Sequence, residues 1–305
     1  MEEKKIVVTG GSGMVGRALR DIMPNAVYLS TKEYDFTEEE EVITMFKVYK
    51  PHIVIHLAAK VGGIIDNINK PAEYFTDNIL MNTLLIKWAK FYNVDRFIGI
   101  LSTCIYPDEV KKYPMEESDL HLGPPTLTNF SYGYAKRCMA VQIDAYNKQY
   151  ATNYNYLTPP NLYGEYDKYG ENSHFIAALI KKIIIAKQNG SDHIMLFGTG
   201  TPLRQFVYAR DFAKVIKSCI DNNCYDSFNV APTENYSIEE IAKISLKACD
   251  AEHLKIKFDT TKPDGQFRKD VSNGLMKKIM PDFKFTELYD GIKKTYEFLK
   301  EKQSW

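Results

Sequence analysis

Cysteine is scarce and unpatterned in this chain of 305 residues: there are five thiols, no CxxC pair and no Cys/His spacing of the kind that holds zinc. That excludes a disulfide framework and a structural metal, and an odd thiol count suits a reducing cytosol, so a cytoplasmic protein is expected. Long apolar runs are absent too. Stretches such as Ile98–Leu101 and Ile183–Ala186 are far too short to cross a bilayer, and the start, Met1-Glu-Glu-Lys-Lys, has no signal-peptide core. Charge of neither sign is in excess, with 39 Lys and Arg against 39 Asp and Glu, so neither nucleic acid nor a membrane is expected as a partner. There is no internal repeat, low-complexity tract or linker. What is present is ordinary globular composition, 45% hydrophobic and 26% charged, in a chain long enough for two lobes sharing a core.

The first half alternates β-branched runs with helical patterns, as a parallel sheet covered on both faces requires. Strands are expected at Lys5–Thr9, Ala26–Leu29, Ile53–Leu57, Arg96–Leu101 and from Asn153 to Leu157. Helices are expected from the glycines after Thr9 to Met23, over 71–92 and over 132–149. Thr37 reads as the N-cap of a further helix, with Glu40 at its third position. Beyond Glu165 come a polar segment (Glu165-Tyr-Asp-Lys-Tyr-Gly-Glu-Asn-Ser), an apolar helix over 174–187 and a turn at Gly198–Pro202. Phe206–Tyr208 and Ser227–Val230 read as strands returning to the first sheet, and a helical tail from Ser237 is broken by one loop, Asp259–Lys269. The fold class is α/β: a Rossmann-type doubly wound parallel sheet, at 1–164 with returns near 205–235, plus a smaller α/β substrate-binding lobe at 165–204 and 236–305.

Between the first strand and its helix stands Thr9-Gly10-Gly11-Ser12-Gly13-Met14-Val15-Gly16. Glycines at 10, 13 and 16 permit a tight turn, close approach of the backbone to a pyrophosphate, and close helix–strand packing. Strand two ends Leu29-Ser30-Thr31-Lys32 and lacks the acid that would bind a ribose 2′-hydroxyl. Ser30 and Lys32 suit a 2′-phosphate, so the expected cofactor is NADP(H). Tyr132 and Lys136 stand at i and i+4 on one helical face, where a buried ammonium lowers a phenol's pKa toward neutrality. Tyr28 and Lys32 share that spacing, so the pair alone is a weak signal. Ser102, at the end of strand four, strengthens it, because that strand end opens into the ligand crevice.

The glycine pattern, the Ser102/Tyr132/Lys136 triad and the two-lobed rhythm resemble the extended short-chain dehydrogenase/reductases. Within that superfamily the chain resembles the GDP-L-fucose synthase family along His56–Gly63, Ser102–Pro107, Gly123–Pro125, Tyr132–Arg137, Ser173-His174, Gly198–Phe206 and Asp259–Phe267. The resemblance implies epimerisation of a GDP-linked 4-keto-6-deoxy sugar at C3 and C5, then reduction of C4 by NADPH. It assigns Cys104 and His174 as the acid/base pair, Tyr132 as the proton donor to O4 with Ser102, and Lys136 to the nicotinamide ribose. It places Leu57, Ala58, Ala59, Leu101, Pro159, Asn161, Leu162 and His174 at the cofactor, and Asn161, Lys182, Phe197, Arg204, Asp264 and Lys269 at the substrate, with Lys182 and Arg204 on the diphosphate. By analogy, the helices over 71–92 and 132–149 imply a homodimer.

Each of these residues also has a plainer reading. A free Cys is usually an apolar filler, His174 can simply pack at a helix start, and Lys182 belongs to a surface Lys pair; it is their joint occurrence in matching contexts that favours chemistry. Two departures from the family pattern stand out: Pro160 replaces the usual Thr, and Phe197 the usual Trp. Either suits a different sugar, such as a heptose. A reductase acting only at C4 therefore stays open, and so does a silent NADP(H)-binding protein. A 4,6-dehydratase wants acids after the strand-four Ser/Thr, where this chain has Cys-Ile-Tyr. A UDP-hexose 4-epimerase wants an acid ending strand two.

Overall fold

The computed structural model describes residues 4–170, 173–262 and 264–302; the first three residues, Glu171 and Asn172 of the polar segment, Pro263 of the last loop and residues 303–305 lie outside the described residues. In the first half β1 (Ile6–Thr9), β2 (Val27–Leu29), β3 (Ile53–His56), β4 (Arg96–Ile100) and β5 (Tyr154–Thr158) alternate with α1 (Met14–Ile22), α2 (Glu39–Tyr49), α3 (Ile64–Asn69), α4 (Pro71–Phe91) and α5 (Phe130–Tyr150). There follow β6 (Asn161–Tyr163), α6 (Phe175–Gln188), β7 (His193–Phe197), β8 (Leu203–Arg204), β9 (Phe206–Tyr208), α7 (Ala209–Asp221) and β10 (Phe228–Asn229). The chain closes with β11 (Tyr236–Ser237), α8 (Ile238–Ala248), β12 (Lys255–Asp259), α9 (Gly274–Ile279) and α10 (Leu288–Lys302).

Six strands form one sheet in the order β2-β1-β3-β4-β5-β10, parallel throughout. Every residue of β3 and β4 is buried, because helices cover both faces. Apolar residues of α2, α4 and α5 pack on one face, and those of α1 and α7 on the other. A separate cluster joins α6, β7, α8 and α10, among them Ile180, Ile183, Leu196, Ile241 and Ile292. This is the Rossmann-type doubly wound architecture, and the strand order reverses between β1 and β3.

Three local expectations are corrected. Thr37 does not cap α2: Asp35 Oδ1 takes both its N–H (2.9 Å) and its hydroxyl (2.7 Å), so Glu38 becomes the N-cap and Glu40 the second helical residue. Phe206–Tyr208 does not return to the main sheet but pairs with β6. Pro159 and Pro160 have no N–H to continue the ladder after Thr158, and the chain leaves the sheet there. The stretches at 193–197 and 255–259 are paired strands, β7 and β12, hidden in the sequence because β7 mixes exposed Met195 and Phe197 with buried Ile194 and Leu196.

Candidate active site

Where the strand order reverses, the glycine loop crosses the carboxyl ends of β1 and β3. Gly10 has φ +70°, and a Cβ there would lie 2.7 Å from Ala58 N and 2.9 Å from Leu57 C. Gly16 is equally tight, since its Cβ would meet Gly10 O at 2.7 Å. The N-terminus of α1 has Gly13 as its N-cap, with no side-chain cap bond. A cradle that Cβ atoms would fill, facing free helix N–H groups, fits the pyrophosphate of a dinucleotide.

Beside the loop lies a cleft of about 380 Å³, lined by Ser12, Ser30 and Lys32 as expected, and also by Arg17, Arg20, Asp21 and Glu33. Arg17 Nε donates to Ser12 O at 3.0 Å, and the Arg20 guanidinium lies 4.8 Å over the Tyr28 ring. Sequence reasoning missed this pair; its signal was two cations three residues apart directly after the glycines. Glu33, one residue beyond Lys32, folds its carboxylate back to accept from Ser30 N (2.8 Å) and Ser30 Oγ (2.7 Å). These bonds hold it below the usual carboxylate range.

The chemistry lies where β4 ends. Ser102 is extended, and its Oγ accepts from Cys104 N at 3.3 Å across a short 3-10 turn, Thr103–Ile105. Helix α5 brings Tyr132 and Lys136 to this turn, and Gly133 makes the approach possible: a Cβ there would sit 2.6 Å from Cys104 O and 2.9 Å from Pro125 Cβ. Arg137 locks the contact, with Nε donating to Ile105 O (2.8 Å) and Nη1 to Gly123 O (2.8 Å). Asn129, at the head of α5, donates from Nδ2 to Cys104 Sγ at 3.2 Å. Neither residue was singled out from sequence, although Arg137 ends a motif that was.

Burial pushes the Cys104 thiol up, but the Lys269 ammonium, hydrogen bonds from Ser102 and Asn129, and the Arg204 guanidinium outweigh it and hold the thiol below its ordinary value. The Tyr132 phenol runs against expectation. Burial pushes it well up, and the neighbouring Cys104 and Tyr74 add to the rise. Lys136, 2% exposed, gives its ammonium to Ile100 O at 2.9 Å, and burial pulls it down to about 7, so it does not offset the burial of the phenol. His174 caps the start of α6 and pairs through Nδ1 with Asp167 Oδ1 at 2.8 Å; that bond raises its pKa against the opposing effect of burial.

Of the remaining residues, Arg204 and Lys269 act electrostatically on Cys104, and Arg204 Nη1 donates to Leu203 O at 2.8 Å. Lys182 and Phe197 stand together on an exposed rim, the ammonium 5.1 Å from the ring centroid and bonded to Met195 O. Asp264 is occupied within the protein, accepting from Thr199 N (2.6 Å) and Thr199 Oγ1 (2.8 Å). Asn161 gives its amide to Gln205 O at 2.9 Å, and Pro159 O accepts from Thr103 N.

A buried polar chain joins the two halves of the site, and sequence reasoning did not find it. The Ala58 amide donates to Thr9 Oγ1 (3.3 Å), which lies 2.8 Å from His56 Nδ1; His56 Nε2 lies 2.9 Å from Asn82 Oδ1, and Asn82 Nδ2 donates to Ala135 O (3.2 Å). Burial, then the Lys136 charge, pushes His56 down to about 3 against the Asn82 bond. The neutral ring therefore accepts at Nδ1 and donates at Nε2.

Fold and site together define a Rossmann-type, dinucleotide-dependent protein with a Ser/Tyr/Lys centre at the end of β4. The sequence pattern of the NAD dependent epimerase/dehydratase family matches residues 6–231, and the chain belongs to that family, within it to the GDP-L-fucose synthases. It is 35% identical over 309 residues to a GDP-L-fucose synthase of Dictyostelium discoideum, covering 97% of this chain and 95% of that one. Among solved structures it resembles a GDP-L-fucose synthetase from Naegleria fowleri bound to NADP (TM-score 0.91, 31% identity, 99% of this chain and 94% of that one). It also resembles a GDP-mannoheptose C4 reductase from Campylobacter jejuni with NADP bound (TM-score 0.87, 26% identity, 98% of this chain and 99% of that one).

Proposed function

We propose that the protein converts GDP-4-keto-6-deoxy-D-mannose to GDP-L-fucose with NADPH, inverting C3 and C5 and reducing C4. The observation that carries this reading is a thiol, Cys104, held toward thiolate beside Tyr132 at the end of β4. A C4 reductase needs only a proton donor for O4, whereas epimerisation also needs groups that take and return protons at carbon.

In this reading the glycine loop holds the pyrophosphate, Arg17, Arg20 and Lys32 hold the 2′-phosphate, and Lys136 orients the nicotinamide ribose. Bound NADPH supplies the hydride to C4. The 4-keto group acidifies the protons on C3 and C5. Cys104 and His174 work from opposite faces of the ring, one withdrawing and one returning a proton, with His174 steadied by Asp167. Tyr132 gives its proton to O4 while Ser102 holds that oxygen. Lys182, Arg204 and Lys269 supply the positive charge that a diphosphate needs, and Asn161 and Phe197 border the sugar.

The reaction run in D2O tests this. GDP-L-fucose carrying deuterium at C3 and C5 is the expected product. NADPH oxidation without ring deuterium would mean reduction at C4 alone, the activity named for the Campylobacter relative. We further propose a cytoplasmic homodimer formed through α4 and α5, where Leu80, Phe91 and Val141 are exposed. Light scattering checks it: the parent is expected at twice the chain mass and a Val141→Glu variant at one.

A further inference from the structure

Asn129 occupies the N-cap of α5, where an Asn side chain ordinarily accepts a hydrogen bond from the first turn. Here it makes no capping bond. Its Nδ2 turns instead to Cys104 Sγ at 3.2 Å, and its buried Oδ1 has no partner among the described residues. The helix that Asn129 heads carries Tyr132 one turn further on, so one rigid element presents both the group that touches the thiol and the phenol. We propose that Asn129 is a positioning residue: its carboxamide N–H anchors the Cys104 sulfur against the bound sugar and stabilises the thiolate that withdraws a ring proton. The inference rests on the functional reading above and adds to it the residue that prepares the thiol.

The chemistry favours this over a structural role. An amide N–H held against sulfur stabilises the negative thiolate more than the neutral thiol, because hydrogen bonds to ionised groups are the stronger ones. The other groups facing Cys104 are the Lys269 and Arg204 cations, the Ser102 hydroxyl and the Tyr132 phenol. The cations act as charges from a distance, whereas Asn129 is a neutral donor in direct contact and sets where the sulfur lies as well as its charge.

Two variants separate the alternatives. Asn129→Asp leaves a side chain able to cap α5 but replaces the donor by a negative acceptor, and Asn129→Leu keeps the bulk without polarity. For both, iodoacetamide labelling of the Cys104 peptide is followed by mass spectrometry across pH, together with NADPH affinity and melting temperature. The expected result is a labelling midpoint moved to higher pH in both variants, with NADPH affinity kept. Where the parent turns over GDP-4-keto-6-deoxy-D-mannose, deuterium incorporation at carbon should fall about tenfold or more relative to NADPH affinity. A structural role alone predicts an unshifted midpoint in Asn129→Leu, whatever the new charge of Asn129→Asp does, and that result overturns the proposal. If Asn129→Leu does not fold, the midpoint of Asn129→Ser, which removes the amide donor without adding charge, decides. A shifted midpoint in a protein inactive on this substrate would keep Asn129 as the anchor of the thiol and discard the substrate.

Discussion

At the scale of single residues, the adenosine end of the cofactor site carries opposing charges whose balance is measurable. In the proposed reading Lys32, Arg17 and Arg20 hold the 2′-phosphate, while Glu33 lies in the same cleft with its carboxylate on Ser30. Glu33→Gln is expected to tighten NADPH without tightening NADH, and Lys32→Ala to weaken NADPH selectively; fluorescence titration with both cofactors checks each. Equal effects on the two cofactors would remove these residues from 2′-phosphate recognition. His56 makes a second prediction. Its folded pKa of about 3 lies below the unfolded value near 6.5, so the unfolded chain binds the proton first as pH falls. Stability is therefore whole above pH 6.5 and is lost between there and pH 3, at up to about 1.4 kcal/mol per pH unit. Urea melts at pH 6.5 and 5.0 should show this slope in the parent and a shallower one in His56→Gln. Parallel slopes would mean that His56 titrates normally in the fold.

At the scale of elements, much was legible because period and punctuation agreed. The β-branched runs of β1, β3 and β4 are buried on both faces and read as strands, and the glycines after β1 announce the turn they make. The placement of Ser102 just past a strand end, and of Tyr132 and Lys136 on one helix, was legible in the sequence. What failed was decided by competition or by partners distant in sequence. Asp35 drew in Thr37 and left Glu38 to start α2, two prolines after Thr158 turned the chain out of the main sheet so that Phe206–Tyr208 pairs with β6, and β7 and β12 exist only as each other's partner. The roles of Asn129 and of the His56–Asn82 chain could not be read, because each depends on a contact across 25 residues or more. The tilt of Tyr132 away from phenolate was hidden for the same reason, since burial is a property of the assembled site. The seating of α5 gives a further prediction. Gly133→Ala puts a methyl 2.6 Å from Cys104 O, so the helix or the turn must shift, and a misplacement of that kind is worth about a hundredfold in turnover. Steady-state kinetics beside a melting curve tests it; full activity in a folded Gly133→Ala protein would mean that the turn yields without cost.

At the scale of the whole molecule, the last loop and the residues after it are tied to the segment over 108–115 that follows the Ser102 turn. Gln266 Nε2 donates to Asp108 O (3.1 Å), Tyr113 Oη to Arg268 O (2.9 Å), Met115 N to Asp270 O (3.0 Å) and Ser272 N to Met115 O (2.7 Å). Asp264, on the same loop, holds the Thr199 turn that follows β7. Loosening these ties with Gln266→Ala and Asp264→Ala should raise KM for the sugar nucleotide while NADPH affinity stays put. An equal loss of both would show that the loop supports the dinucleotide site as well.

Gly10, Gly16 and Gly133 carry no chemistry, yet each marks a place where backbones meet too closely for one more carbon atom. In a scan of every substitution, these positions would score as intolerant as Tyr132 itself. A map of mutational tolerance alone would therefore count them as reactive groups. Refolding yield separates the two kinds of position, because a lost phenol leaves a folded protein without turnover, whereas a methyl added at Gly10 or Gly16 strikes the scaffold.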